Sequence, residues 1–334
     1  MPTVRVIATL LFVPALLIPT SPVWAADTPA TQTSSLTVDA DYGIQGEYFG
    51  AAWGEDGCWS NWGLQVVALG QGKFQAVEYR GGLPGYGWDG LTRRALKGEK
   101  SATGTQLAGE NSLALLSSDA CGRLQARLST PSGHCRGYLA RVERVSPTMG
   151  AQPPVCAEIL FNGTAPEGLV GAKLTSDGLL QVGTNTKHNY DNFMMHLEFR
   201  TPYMPAARGQ ARGNSGVYIQ GRYEVQILDS FGLEGVNNEC GGLYKTRAPD
   251  LNMCLPPLVW QTYDLEFYAA RFQGDQKICP ARITVRHNGV PVHCQVEIPN
   301  KTGGGTVEGP NPLPIKLQDH GNPVHFRNIW IRRL

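Results

Sequence analysis

The chain has 334 residues, with 29 Lys and Arg against 28 Asp and Glu, a formal charge of +1. That balance leaves no basic field for nucleic acid and no polybasic patch for a membrane surface. Hydrophobic residues at 42% and charged residues at 17% exclude a disordered chain. The 40 Gly, the 23 Pro and the near absence of long amphipathic helical periods favour an all-β architecture of short strands and turns.

Arg5 precedes an apolar run from Val6 to Ile18, and Val23-Trp24-Ala25 offers the small residues a signal peptidase reads. The run is too short to span a bilayer, and no later segment replaces it. Residues 1–25 are therefore expected to be a secretory signal cleaved near Ala25, leaving a secreted or periplasmic protein that is not an integral membrane protein. A short membrane anchor is the alternative. Residues 26–39, rich in Thr, Ser, Ala and Pro, read as a flexible leader.

Residues 40–146 read as a small β-rich domain. Ile44–Tyr48, Trp62–Leu69 and Phe74–Tyr79 carry strand patterns, and Leu113–Leu116 and Gly137–Val145 close the unit. Between them Gly81–Gly90 is a glycine-rich loop that lacks the spacing and the Lys-Ser/Thr of a phosphate loop, so no nucleotide cofactor is expected. Its Tyr86 and Trp88 either stack on a sugar ring or cover the domain's own surface. SPTMGAQPP, ending at Pro154, reads as a linker.

The second domain spans 155–334. Its strands are expected at Glu158–Phe161, Leu179–Val182, Phe193–Arg200, Gly216–Gln220, Tyr223–Leu228, Thr262–Ala270, Ala281–His287, Pro291–Ile298 and Val324–Arg332, the pattern of an antiparallel sandwich or jelly roll. The connections Thr201–Asn214, Phe231–Trp260 and Lys301–Gln318 are long, as functional loops are. Eight cysteines suit an oxidising compartment, and none is spaced as CxxC. Cys121–Cys135 and Cys279–Cys294 are reasonable disulfides, the latter flanking a His287-Asn288-Gly289 turn; buried free thiols are the other reading.

The sharpest chemical signal is Glu224-Val225-Gln226-Ile227-Leu228-Asp229, a strand with polar residues where a core strand is apolar. Glu224 and Gln226 share a face, and one β-bulge would bring Asp229 onto it. Two carboxylates flanking a cleft suit glycoside cleavage; a polar strand facing water is the plain alternative. In Gln318-Asp319-His320-Gly321-Asn322, Asp319 can orient His320 for proton transfer, or simply cap a turn. Arg327 can hold a substrate oxygen or pair with Glu224 or Asp229. Lys245 can stabilise an oxyanion or be an ordinary surface Lys.

The segments GNSGVYIQGRYEVQILDS, ECGGLYKTRAPDLNMCLPPLVWQTYDLEFYAARF, ARITVRHNGVPVH and PIKLQDHGNPVHFRNIWIRRL resemble, in order, the 3-keto-disaccharide hydrolase domain family over about residues 156–334. The resemblance implies a concanavalin A-like jelly roll and activity on glycosides already oxidised at C3. A 3-keto group acidifies the C2 proton, so a base, an enolate stabiliser and a leaving-group acid suffice for β-elimination and rehydration. On this reading His320 or Glu224 is the base, and Asp319 orients His320. Gln226, Lys245 and Arg327 hold the keto and hydroxyl oxygens, and Tyr218, Glu239 and Gln318 are further substrate contacts. A divalent cation held by Glu224, Asp229 and His320 would also stabilise an enolate.

Two other readings stand beside it. Glu224-x-Gln226-x-x-Asp229 is similar to the Glu-x-Asp-x-x-Glu strand of laminarinase-type retaining glucanases, departing at two of three positions. A non-catalytic carbohydrate-binding module is the other, since jelly rolls often bind sugars. The expected partner throughout is an oxidised glycoside or another carbohydrate.

Overall fold

The structure, a computed structural model, describes residues 3–5, 31–34 and 38–334. Apart from Thr3–Arg5, the expected signal segment lies outside the described residues, as does most of the leader. Among the described residues no helix is long and apolar enough to cross a membrane.

The chain is all-β. The first elements are β1 (Thr3–Arg5), α1 (Ala40–Ile44), β2 (Gly46–Trp53), β3 (Trp59–Gly70), β4 (Lys73–Arg80), β5 (Arg93–Ser101), β6 (Gly104–Ala108), β7 (Leu113–Ser118), β8 (Leu124–Ser129) and β9 (Cys135–Val145). From β2 to β9 each strand pairs antiparallel with the next, and β9 pairs back onto β2 from Glu47↔Val142 to Ala52↔Gly137. This is a closed eight-stranded barrel. Closure removes the free sheet edges, and eight strands enclose a lumen that side chains can fill. Alternate residues do so: Trp62, Leu64, Val66 and Ala68 of β3 meet Phe74, Leu96, Leu107, Leu116, Leu128 and Leu139. Tyr86 packs edge-on against Phe49 and Trp88 against Tyr79, so the glycine-rich loop covers the barrel's own wall.

The remaining strands are β10 (Glu158–Phe161), β11 (Leu169–Val170), β12 (Leu180–Gln181), β13 (Thr184–Asn189), β14 (Phe193–Arg200), β15 (Ser215–Ile219), β16 (Tyr223–Ile227), β17 (Gln261–Tyr268), β18 (Arg271–Gln273), β19 (Gln276–Cys279), β20 (Ala281–His287), β21 (Val290–Ile298), β22 (Pro314–Leu317) and β23 (His325–Arg333). A large sheet runs β10-β23-β14-β17-β20-β21, with β12 also on β23, and a smaller one runs β11-β13-β22-β15-β16. Leu197, Phe199, Tyr263, Leu265 and Val285 of the large sheet share one core with Val217, Ile219, Val225, Ile227 and Leu317 of the smaller. Each such side chain contributes about 1.5–3 kcal/mol on burial, so the sandwich is held from both inner faces.

Barrel and sandwich pack together. Val67 of the barrel belongs to the sandwich core, and the Ser146 and Thr262 hydroxyls meet at 2.6 Å. Gly150 of the SPTMGAQPP segment donates its N–H to Glu198 on the outer face of the large sheet, at 2.6 Å. No two of the eight cysteines are bonded in the structure, so the expected Cys121–Cys135 and Cys279–Cys294 pairs are not formed there; Cys240 and Cys254 are buried and the other six exposed.

Candidate functional site

The site lies on the face of the smaller sheet turned away from the core. β15 and β16 form a hairpin whose turn residues Gln220 and Gly221 both have left-handed φ, 53° and 61°, as a type I′ turn requires. The register pairs Gly216 with Gln226 and Tyr218 with Glu224, while Val217, Ile219, Tyr223, Val225 and Ile227 face the core. On the other side of β15, Tyr218 pairs with Lys316 of β22, and the Gln318 N–H donates to the Gly216 carbonyl at 2.9 Å. One face therefore carries a two-by-three grid: Gln318, Gly216 and Gln226 in one row, Lys316, Tyr218 and Glu224 in the next.

Gly216 is the gap in that grid. A Cβ there would stand 2.4 Å from Glu224 Oε1, so the missing side chain is what lets the carboxylate lie over β15. Glu224 is 1% exposed, and burial lifts its pKa to about 7 against the lowering pull of Tyr218 and Lys316. With the Gln226 amide nitrogen turned toward Glu224, it donates to the Ser215 carbonyl at 2.7 Å and to Glu224 Oε1 at 3.1 Å. Glu224 Oε2 and Gln318 Oε1 are buried with no hydrogen-bond partner. A buried acceptor left unpaired costs about 1–3 kcal/mol, so the two on this small face single it out as the candidate site.

Two loops wall the grid. The main chain of Glu239–Tyr244 adds an edge to β16: Gln226 N–H donates to Gly242 O at 2.9 Å, and Tyr244 N–H to Glu224 O at 3.1 Å. The segment Gly303–Gly305 lies over Tyr218, with a Cβ on Gly304 falling 2.4 Å from the phenol oxygen. Thr302 Oγ1 accepts from Glu224 N–H at 2.8 Å. Lys245 is exposed, with its ammonium 5.3 Å from the Tyr244 ring centroid, and both residues border Gly303.

The fold thus gathers Glu224, Gln226, Tyr218 and Gln318, with Lys245 at the rim. It disperses the other candidates. Asp229 lies past the end of β16, where no bulge returns it to the Glu224 face; its Oδ2 accepts from buried Arg212 Nε at 2.6 Å. Arg327 sits on the outer face of the large sheet, paired with Glu198 at 2.6 Å and stacked 4.0 Å from the Trp260 ring, so it reaches neither Glu224 nor Asp229. Glu198 is buried there, yet the His196 imidazole 3.8 Å away and hydrogen bonds from Asn328, Gly150 and Arg327 pull its pKa to about 2. Asp319 and His320 are exposed, and Asp319 Oδ1 accepts from Gly321 N–H, closing a turn rather than orienting the imidazole. Glu239 caps its own loop, accepting from Gly235 and Val236 N–H. Glu224, Asp229 and His320 hence do not form one ligand set. Among the described residues no group of three His, Cys, Asp or Glu side chains is arranged to hold a metal ion.

Lys316, Gly216 and the Thr302–Gly305 segment are the parts that the sequence reading missed. The signal was Ile315-Lys316-Leu317, apolar-polar-apolar, inside a stretch read as loop.

The model of the 3-keto-alpha-glucoside-1,2-lyase-like domain matches residues 157–332. Among solved structures, a "putative glycosyl hydrolase" from Parabacteroides distasonis is 32% identical with a TM-score of 0.51, covering 54% of this chain and 85% of its own. A second protein so described, from the same organism, is 20% identical with a TM-score of 0.38, covering 53% of this chain and 94% of its own. No curated protein matches. The matched residues run from β10 to β23 and include every residue of the Glu224 grid, so the chain belongs to the 3-keto-alpha-glucoside-1,2-lyase-like domain family and, with it, to the carbohydrate-active enzymes.

Proposed function

We propose that the chain cleaves glycosides already oxidised at C3, with Glu224 as the base. The observation that carries this reading is one carboxylate, buried, with a pKa raised to about 7 and one oxygen unpartnered, on a face lined by phenol, amide and ammonium groups. Such a carboxylate is largely ionised just above neutral pH and still basic enough to take a carbon-bound proton acidified by a ketone.

The electrons of the C2–H bond move into a C2–C3 enolate as Glu224 takes the proton. Tyr218 and Lys316 supply a donor and a cation for the enolate oxygen. The enolate collapses, the C1–O bond breaks and the departing aglycone oxygen takes the proton held on Glu224, which returns to its carboxylate; water then adds hydrogen to C2 and hydroxide to C1. Gln226 and Gln318 hold sugar hydroxyls, and Lys245 lies at the mouth. Substrate reaches Glu224 once Gly303–Gly305 moves off Tyr218. The signal-like Val6–Ile18 run and the eight cysteines support action outside the cytoplasm.

A retaining glucanase needs a second carboxylate about 5 Å from the first. Burial, Tyr218 and Lys316 are what set the Glu224 pKa, and Asp229 is committed to Arg212, which favours the elimination route. The test is turnover of a 3-keto-glucoside in heavy water: elimination and rehydration leave deuterium at C2 of the released sugar, whereas direct hydrolysis leaves C2 protiated.

A further inference from the structure

Cys240 and Cys254 are the only two buried cysteines, 0% and 1% exposed, and neither takes part in the site chemistry above. They stand at the two ends of a segment that supports the site wall. Cys240 begins the Gly241–Leu243 run that pairs with Val225 and Gln226, and its N–H donates to Ser230 Oγ at 2.9 Å. Cys254 is fixed by its N–H bond to Asn252 Oδ1 at 3.0 Å, and Asn252 Nδ2 in turn donates to the Ser230 carbonyl at 2.8 Å. The same residue, Ser230, therefore anchors both ends.

The two thiols meet behind β16. Each interacts with the other, and both lie against Leu228, Cys254 Sγ at 3.5 Å from its carbonyl oxygen. Cys240 Sγ is 3.2 Å from the Tyr263 hydroxyl, which itself donates to the Gln226 carbonyl at 2.6 Å. The pocket that holds them is otherwise part of the apolar core. The two sulfurs are not at bonding distance in the structure, but two buried thiols that interact at the ends of one loop, in a chain with an even number of cysteines, are the pair a disulfide would join.

We propose that Cys240 and Cys254 are joined by a disulfide that clasps the 240–254 segment behind the strand carrying Glu224. The bond forms during folding, before the segment closes over the sulfurs. The Cys240 thiolate attacks a disulfide of an oxidant of the thiol–disulfide exchange class, releasing one thiol. The Cys254 thiolate then attacks Cys240 Sγ in the mixed disulfide, releasing the second. Two electrons pass to the oxidant, which becomes a dithiol, and the two protons of the starting thiols end on it or in solvent. A loop of about fifteen residues is long enough for the crosslink to restrict the unfolded chain appreciably.

The test is peptide mapping of the full chain, produced with and without an oxidising export route, then denatured and alkylated without reductant. The expected result after the oxidising route is a linked peptide pair containing Cys240 and Cys254 that reductant separates. Alkylation of both residues, or linkage of either to another cysteine, would overturn the proposal. Thermal unfolding gives the second readout. Reductant should lower the Tm of the oxidised wild type by several degrees and leave the Cys240→Ala/Cys254→Ala variant unmoved; an equal fall in both would also count against it.

Discussion

Tyr218 and Glu224 face each other across one rung of the β15–β16 ladder, and the phenol and carboxylate act on one another directly: burial raises both pKa values, Glu224 raises that of the phenol further, and Tyr218 pulls that of the carboxyl back down. That pairing, with Gly216 left empty beside it, is the centre of the proposed site.

Gly216→Ala tests the gap. The atom that its Cβ would strike is the end of the Glu224 side chain, which can swing away at small cost to the fold. The expected outcome is a fall in kcat of about 10²-fold, the scale of a base moved by an ångström, with Tm within a few degrees of wild type. Steady-state kinetics and a thermal melt on the same preparation check both halves.

The pH dependence follows from the Glu224 shift. The base must be ionised, so kcat/KM should rise with pH and level off above about 7. His320→Ala should leave that limb in place, because His320 is exposed and stands outside the grid. A limb that disappears with His320 would assign the titration to the imidazole.

Stability should run the opposite way. Glu224 has a folded pKa above its unfolded value, so its contribution is whole below about pH 4.5 and is lost as pH rises through about 7. Glu224→Gln removes the titration. Relative to wild type the variant should gain stability across that window, by up to about 3 kcal/mol at pH 8. Denaturant unfolding at pH 4 and pH 8 measures the difference.

Asp229→Asn should act on the fold instead. It leaves the buried Arg212 guanidinium, which also reaches the barrel carbonyl of Ala68, without its counter-charge. A loss of about 3–5 kcal/mol is expected. The pH limb near 7 should survive in the protein that remains folded.

How far the site was legible follows from the same residues. Glu224 and Gln226 announced themselves because polar groups alternated with Tyr223, Val225 and Ile227, and period-2 patterns survive in any sheet. Phe193–Arg200 and Ala281–His287 were readable for the same reason. Asp229 and Arg327 were misplaced because charge pairing is a property of three-dimensional neighbours. Their partners Arg212 and Glu198 are 17 and 129 positions away along the chain. Lys316 was hidden because β22 is four residues long, bounded by Pro314, and gains its strand character only by pairing with β13 and β15. Barrel closure was equally invisible: β5 and β6 carry exposed charged or polar residues, and nothing local says that β9 returns to β2.

The most direct test of the central claim is cleavage of matched p-nitrophenyl glucoside and its 3-keto counterpart by wild type and Glu224→Gln. The account predicts cleavage of the keto substrate alone, through an ultraviolet-absorbing enone, and a loss of about 10²–10⁴-fold in the variant. Cleavage of the plain glucoside at a comparable rate, or a variant as active as wild type, would contradict it.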